Sequence, residues 1–506
     1  MSGRSANNEK AVAPVSKDDD DEAELARMGY KQELRRELSL LQNFGVSFSI
    51  ISIITGIPSL FSYGLNTGGP AVMVWGWLIV CHAHPTSGGP YYWAAMLANP
   101  ESAPLASWIT GWFNLLGQVA VTTGISFACA NFLSTVAEFG TSFVPTPKTT
   151  IGIYAAVLVS QGLINTFGVH LLKYLNNVSV WWHSLGTTSL VIAILARAPK
   201  HQSANFVFRT FIDGTGVNGN EGWGTRASHA YVCIIGILMA QYTLTEETHN
   251  AAMAGSVGII MALGVSAVLG WFLILGLLFS IQDLETTLSS STGEPVAQIF
   301  LDTVGEKGAI VLMVIVIGAM YFCGTFSVTS NSRMMFAFAR DGGIPGHNFF
   351  RRVDAKRGNP VRTVSVSALP SLGSSVAFSA ATSIATIGLY ISYGIPIALR
   401  VIYRERFVRG PFHLGAFSMP VAIGAVVWIA FIAIAFILPQ ANPVDSQTLN
   451  YSIVCVGIVA LYSVGFWLIS ARNWFSGPIR QISAAEMGVS KTSESEASNN
   501  ERTKNS

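Results

Sequence analysis

The sequence is short of charge. Of its 506 residues, 11% are Asp, Glu, Lys or Arg, where a soluble chain carries about a quarter. That excludes an ordinary water-soluble globular protein. Cysteine is scarce too. Cys81, Cys129, Cys233, Cys323 and Cys455 each lie in an apolar stretch, at no spacing that makes a zinc site or a disulfide framework. They read as small buried hydrophobes. Phosphate-binding, dinucleotide, nucleophile-elbow and zinc-protease patterns are absent, so neither an enzyme nor a resident cofactor or metal is expected. The net charge is only +2, and the basic residues sit in short loops, which argues against a nucleic-acid partner. Residues 1–27 are polar with an acidic run, Asp18–Glu22. They hold no apolar core of a cleavable signal.

What the sequence has instead is long uncharged runs. No Asp, Glu, Lys or Arg occurs from Leu38 to Pro100, and further such windows are Ser102–Ala137, Thr149–Leu172, Tyr174–Ala196, Ala227–Thr245, Thr248–Gln282, Gly308–Ser332, Thr363–Leu399, Gly410–Val444 and Ser446–Ala471. Mean hydropathy is +0.46. A bilayer core about 30 Å thick needs roughly 20 apolar helical residues per crossing. The reading is an all-α integral membrane protein with about 12 transmembrane helices. Candidate helices are Gln42–Leu65, Pro70–Cys81, Leu105–Val136, Ile151–Leu171, Val178–Ala196, Ser228–Thr245, Val257–Ile281, Gly308–Met335, Val364–Phe378, Ala380–Ile402, Met419–Leu438 and Leu449–Ser470. A polytopic domain over 28–482 is flanked by polar tails, 1–27 and 483–506, that read as disordered.

Basic loops mark the cytosolic side. Arg340–Arg362 carries Arg340, Arg351, Arg352, Lys356, Arg357 and Arg362 against Asp341 and Asp354, and Arg400–Arg409 carries Arg400, Arg404, Arg406 and Arg409 against Glu405. Asp283–Lys307 is the reverse, with Asp283, Glu285, Glu294, Asp302 and Glu306 against Lys307. Both termini then fall in the cytosol of a multi-pass protein, with the plasma membrane as the expected location. Parity exposes a deficit. Thr363–Leu399 has to cross twice, which takes about 40 residues or more. Pro70–Cys81 reaches only about 18 Å before the polar stop His82-Ala83-His84-Pro85.

Ser52-Ile53-Ile54-Thr55-Gly56-Ile57-Pro58-Ser59 lies inside the first candidate helix. Proline lacks an N–H and clashes with the carbonyl four residues back, and glycine eases irregular backbone. A broken helix in lipid is tolerated where it lines a cavity or is buried in protein, and half-helix N-termini present amides to anionic groups. A substrate carboxylate near Gly56 and Ile57 is one reading and a plain proline kink the other. Asn114 and Gln118 share one helix face, either as interhelical glue or lining a polar path. Gln241, Tyr242 and Thr243 form a polar cluster, followed by Glu246 and Glu247 at an expected solvated end. Tyr390 and Tyr393 read as packing, with a gate as the alternative. No carboxylate sits mid-span, where proton relays usually lie. His183 titrates in the physiological range when accessible, against the plainer reading of a hydrogen-bonded structural histidine. No ring motif of a channel filter is present.

These stretches resemble the fungal amino acid/choline/GABA permeases of the amino acid–polyamine–organocation superfamily. The likeness runs from about Met28 to Ile482. It rests on Gly29–Leu40 (GYKQELRRELSL), Ser47–Gly69, Pro85–Trp93 (PTSGGPYYW), Asn331–Pro345 (NSRMMFAFARDGGIP) and Ala381–Arg406 (ATSIATIGLYISYGIPIALRVIYRER). The resemblance implies a five-plus-five inverted repeat (leucine-transporter-like), a central site between broken helices one and six, and proton-driven uptake. Through it, Thr55, Gly56 and Ile57 match the unwound helix-one segment, Gln118 a mid-membrane polar position of helix three, and Gln241, Tyr242 and Thr243 the polar stretch before the helix-six break.

The chain departs from that pattern in helices two, six and nine, at Val80–His84, Thr245–Glu246 and Val364–Pro370. The abrupt joins look like excised sequence, from alternative splicing or misread introns. Two readings follow. One is a secondary active permease for a small amino acid, GABA or a choline-like amine, with protons as the coupled partner. The other is a non-transporting truncated isoform, a sensor or a gene-model artefact of such a permease.

Overall fold

The structure, a computed structural model, describes residues 40–83, 90–141, 143–244, 253–353, 360–367, 375–407 and 415–478. The lead-in Gly29–Leu40 apart from Leu40, the tails, the loop at 84–89 and the join Thr245–Glu246 lie outside them, as does the later part of the join Val364–Pro370. Two compact units divide the chain, and the helical body belongs to Glu37–Gly477. The other unit, Met1–Arg36 with Pro478–Ser506, falls outside the described residues except for Pro478.

Regular structure among the described residues is helical. The main elements are α1 (Leu40–Ile51), α2 (Ile53–Ser59), α3 (Phe61–Asn66), α4 (Gly69–Ala83), α5 (Pro90–Leu97), α6 (Ala103–Gly140), α7 (Pro147–Phe167), α8 (Val169–Arg197), α9 (His229–Gly236), α10 (Leu238–Leu244), α11 (Met253–Ser280), α12 (Pro295–Arg340), α13 (Val361–Ser367), α14 (Ser375–Ile402), α15 (Ser418–Ala435) and α16 (Ser452–Ile469). Eight helices (α6, α7, α8, α11, α12, α14, α15 and α16) are long and apolar enough to cross a membrane. Three shorter apolar segments, Phe44–Ser59, Gly69–Cys81 and His229–Leu244, join them. This is the multi-span helical membrane architecture that the uncharged windows imply.

The same deficits hold among the described residues. α4 has 15 residues, about 22 Å of helix, short of the hydrocarbon core. Between Arg362 and Arg400 the sequence demanded two crossings. The described residues hold one helix of 28 residues, α14, and one of 7, α13. The candidate Val364–Phe378 is therefore corrected: its start belongs to α13 and its end, Phe378, to α14. The boundary between the fourth and fifth candidates moves as well. α7 stops at Phe167 and α8 already runs from Val169, with Gly168 alone between them.

α6 is the spine of the body and packs against α12 and α14. It crosses α14 at paired glycines. A Cβ on Gly388 would stand 2.9 Å from the Gly117 nitrogen and 3.0 Å from the Phe113 carbonyl oxygen. Small residues let membrane helices approach backbone to backbone in this way. Asn114 donates to Ser392 Oγ at 3.2 Å across the same crossing, which makes Asn114 the interhelical glue that was one of its two readings. α4 lies on α11, where the buried Trp77 indole donates to the Ala267 carbonyl at 2.9 Å. α12 bends at Gly305, whose φ of 72° is a left-handed value that favours glycine. α15 and α16 leave Val427, Ile434, Leu461 and Ile469 exposed, as befits faces turned to lipid rather than to water.

Outside the spans, Asp283 caps the short helix Leu284–Leu288. Its carboxylate accepts from the Thr286 amide at 2.9 Å and the Thr286 hydroxyl at 2.8 Å. These bonds hold the carboxyl below the usual carboxylate range. A group whose folded value is depressed stabilises above its unfolded value and stops doing so as pH falls through the folded one. Amide-exchange protection at Thr286 is thus expected to fall on acidification below about pH 4. Asp283→Ala should lack that protection at every pH, and protection that is independent of both would refute the cap.

Candidate functional site

The first span is interrupted, though not where the Gly-Ile-Pro pattern pointed. α1 ends at Ile51, Ser52 takes a left-handed conformation (φ 30°, ψ 71°), and α2 begins at Ile53. Thr55, Gly56 and Ile57 are helical rather than unwound. The Thr55 and Gly56 amides both donate to the Ser52 carbonyl, at 2.7 and 3.0 Å. Pro58 is accommodated inside α2, which ends at Ser59.

The break falls at Ser52 because that hydroxyl finds partners on another helix. Ser52 Oγ lies 2.8 Å from His183 Nε2 and 2.5 Å from Thr55 Oγ1. His183 of α8 places Nδ1 2.8 Å from the Ser179 carbonyl and 3.2 Å from Ser179 Oγ, and Ser179 Oγ meets Ser49 Oγ at 2.6 Å. These side chains are all buried. The last carbonyls of a helix lack intrahelical partners, and one of them here, that of Ile50, accepts from the Cys323 thiol of α12 at 3.2 Å.

α2 and α3 run antiparallel to α9 and α10. Tyr63 donates to the Ile235 carbonyl at 2.8 Å, and a Cβ on Gly64 would touch Met239. A Cβ on Gly56 would stand 2.4 Å from Thr243 Oγ1. Two of the residues singled out from sequence are therefore in direct contact. Tyr390 of α14 donates its hydroxyl to Gln241 Oε1, and the Tyr242 hydroxyl abuts Gly124 of α6. Thr55, Ile57, Gln118, Gln241, Tyr242 and Thr243 are all buried. Gln118 belongs to the α6 face beside Gly117. Its carbonyl accepts from Thr122, which also meets Ser327 of α12 at 2.8 Å. Among the described residues, no side-chain hydrogen bond joins Gln118 to the α2–α10 group.

Sequence reasoning passed over Ser52 as the hinge and set Tyr390 aside as packing. The signal for Tyr390 was available, since a tyrosine in an uncharged span needs a partner for its hydroxyl. Ser52 carried no local signal beyond its place at the head of the Ser52–Ser59 stretch.

Uncharged spans, the first interrupted at Ser52, with α2, α10 and α14 packed together through Gly56, Thr243, Gln241 and Tyr390, define a polytopic membrane protein. The family described as amino acid permease matches residues 38–461. The chain is 42% identical to the amino-acid permease BAT1 homolog of Oryza sativa subsp. japonica, over 91% of this chain and 96% of that protein. It is 41% identical to amino-acid permease BAT1 of Arabidopsis thaliana, over 94% and 99%. An uncharacterized amino-acid permease of Schizosaccharomyces pombe is 32% identical over 92% and 90%. The chain belongs to the amino-acid permease family, a family of transporters. The Arabidopsis alignment runs over 519 positions yet uses 94% of these 506 residues, so stretches of that relative face gaps in this chain.

Proposed function

We propose that this permease carries a small amino acid, GABA or a choline-like amine through the plasma membrane, driven by protons, with both termini in the cytosol. Thr55, Gly56, Ile57, Gln118, Gln241, Tyr242 and Thr243 line its path. The observation that carries this reading is the break at Ser52 beside the Gly56–Thr243 contact. It starts a new helix inside the body, whose Ile53 and Ile54 amides lack backbone acceptors. Those amides and the positive end of the helix dipole favour a carboxylate. Gln241, held by Tyr390, supplies polar groups on the facing helix. The names of the relatives support an amino acid as the cargo. The basic loops at Arg340–Arg362 and Arg400–Arg409 support the orientation.

A second reading has its own support. The short α4, the short α9–α10 pair and α13, together with the alignment gaps, favour a form that inserts without transporting. Reconstitution separates the two. Purified full chain in liposomes should take up a radiolabelled amino acid, amine or GABA under an inward proton gradient. A monodisperse, inserted protein that moves none of these would establish the second reading.

A further inference from the structure

We propose that His183 is a proton-binding site whose occupancy sets the hydrogen-bonding direction of Thr55 in the substrate path. This rests on the permease reading above for its link to transport, and on geometry alone for the proton site.

The argument is a donor count. A carbonyl oxygen only accepts, so His183 Nδ1, 2.8 Å from the Ser179 carbonyl, carries a proton. In the neutral ring Nε2 is then the acceptor, and Ser52 donates to it across 2.8 Å. Ser52 has spent its one hydrogen, so at the 2.5 Å contact it accepts from the Thr55 hydroxyl. The relay runs Thr55 to Ser52 to His183, and the Thr55 hydrogen points away from the path.

Protonation reverses it. Nε2 takes a proton from hydronium, forming an N–H bond and leaving water. Nε2–H now donates to Ser52 Oγ. Ser52 must turn its own hydrogen to Thr55 Oγ1, and Thr55 is freed to donate elsewhere. Only hydroxyl rotors move, and the positive charge stays on the ring. A substrate carboxylate beside Thr55 then gains one O–H donor and a nearby cation. When the proton leaves to water, both are withdrawn. Proton and anionic substrate are thereby coupled through one side chain.

The surroundings suit this role. α1, α2 and α11, among the elements around α8, carry no titratable residue. α12 contributes Tyr321, whose hydroxyl donates to Ser160 at 2.9 Å, and Cys323, whose thiol donates to Ile50. α7 contributes Lys148 and Tyr154, and α8 itself His170, Lys173, Tyr174 and Arg197. The charged residues of α12 (Asp302, Glu306, Lys307, Arg333, Arg340) lie outside its uncharged window, Gly308–Ser332. No mid-span carboxylate competes for the proton.

The test pairs two readouts on the purified full chain. Amide exchange of the Ser52–Ser59 segment, corrected for intrinsic rates, should change on acidification in wild type and not in His183→Gln, whose amide does not titrate. In liposomes, the same variant should retain substrate counterflow and lose stimulation by a proton gradient. Should that variant fail to fold, Thr55→Val cuts the relay and should abolish the pH dependence of substrate affinity. A pH-independent wild-type segment, or a glutamine variant with wild-type proton stimulation, overturns the proposal. Loss of the exchange response in the variant, in a protein that moves no substrate, supports the proton site while refuting the permease reading.

Discussion

Gly388→Val is expected to prevent the helical body from assembling. A Cβ at 388 meets the Gly117 nitrogen at 2.9 Å and the Phe113 carbonyl oxygen at 3.0 Å. Those atoms are backbone, so no rotamer change relieves the clash and α6 must part from α14. Overpacking a well-fitted core costs about 1–3 kcal/mol when side chains can shift. Here the cost should exceed that range, because the displaced element is the spine of the fold. Fluorescence-detected size exclusion should show aggregate for Gly388→Val and a monodisperse peak with a lowered melting temperature for Gly388→Ala. A valine variant as stable as wild type would show that the crossing is looser than described.

Gly56→Leu should act on transport instead. The added Cβ falls 2.4 Å from Thr243 Oγ1 and 2.8 Å from Thr243 Cβ. This pushes α2 off α10 without disturbing the α6–α14 crossing. Uptake is expected to vanish while membrane insertion and monodispersity persist. The milder Gly56→Ala should be partly rescued by Thr243→Ala, because that change removes Thr243 Oγ1 and Cγ2, two of the three atoms the new methyl group meets. Double-mutant coupling of this kind isolates a direct contact. Wild-type uptake in Gly56→Leu would remove α2 from the substrate path.

The architecture was legible because lipid imposes a simple rule: backbone must be satisfied within the span, so uncharged windows become helices. The short second helix and the crowded Thr363–Leu399 stretch were legible from length alone. The hinge was not. Gly56 and Pro58 carry the local signal for a break, yet Ser52 takes it, because its hydroxyl is bonded to His183, 131 residues further along the chain. Local propensity cannot see such a partner. The same holds for Gln241 and Tyr390, 149 residues apart, and for the meeting of Gly117 with Gly388. In the first two cases the sequence singled out both members without joining them, in the third it named neither, and only packing brought each pair together. The α7–α8 boundary was misplaced for a different reason. Lys173 fell between the fourth and fifth candidates, but it continues α8, with its ammonium 5.2 Å from the Tyr174 ring centroid.

The account stands on the claim that α1 and α2 part at Ser52 to bare the Ile53 and Ile54 amides for an anionic solute. An experimental density map of the full chain in nanodiscs, with a bound amino acid, tests it most directly. The expected map shows the chain turning at Ser52 and the ligand carboxylate against the start of α2, beside Thr243. A continuous helix through Ser52, or a carboxylate bound away from α2, would contradict it.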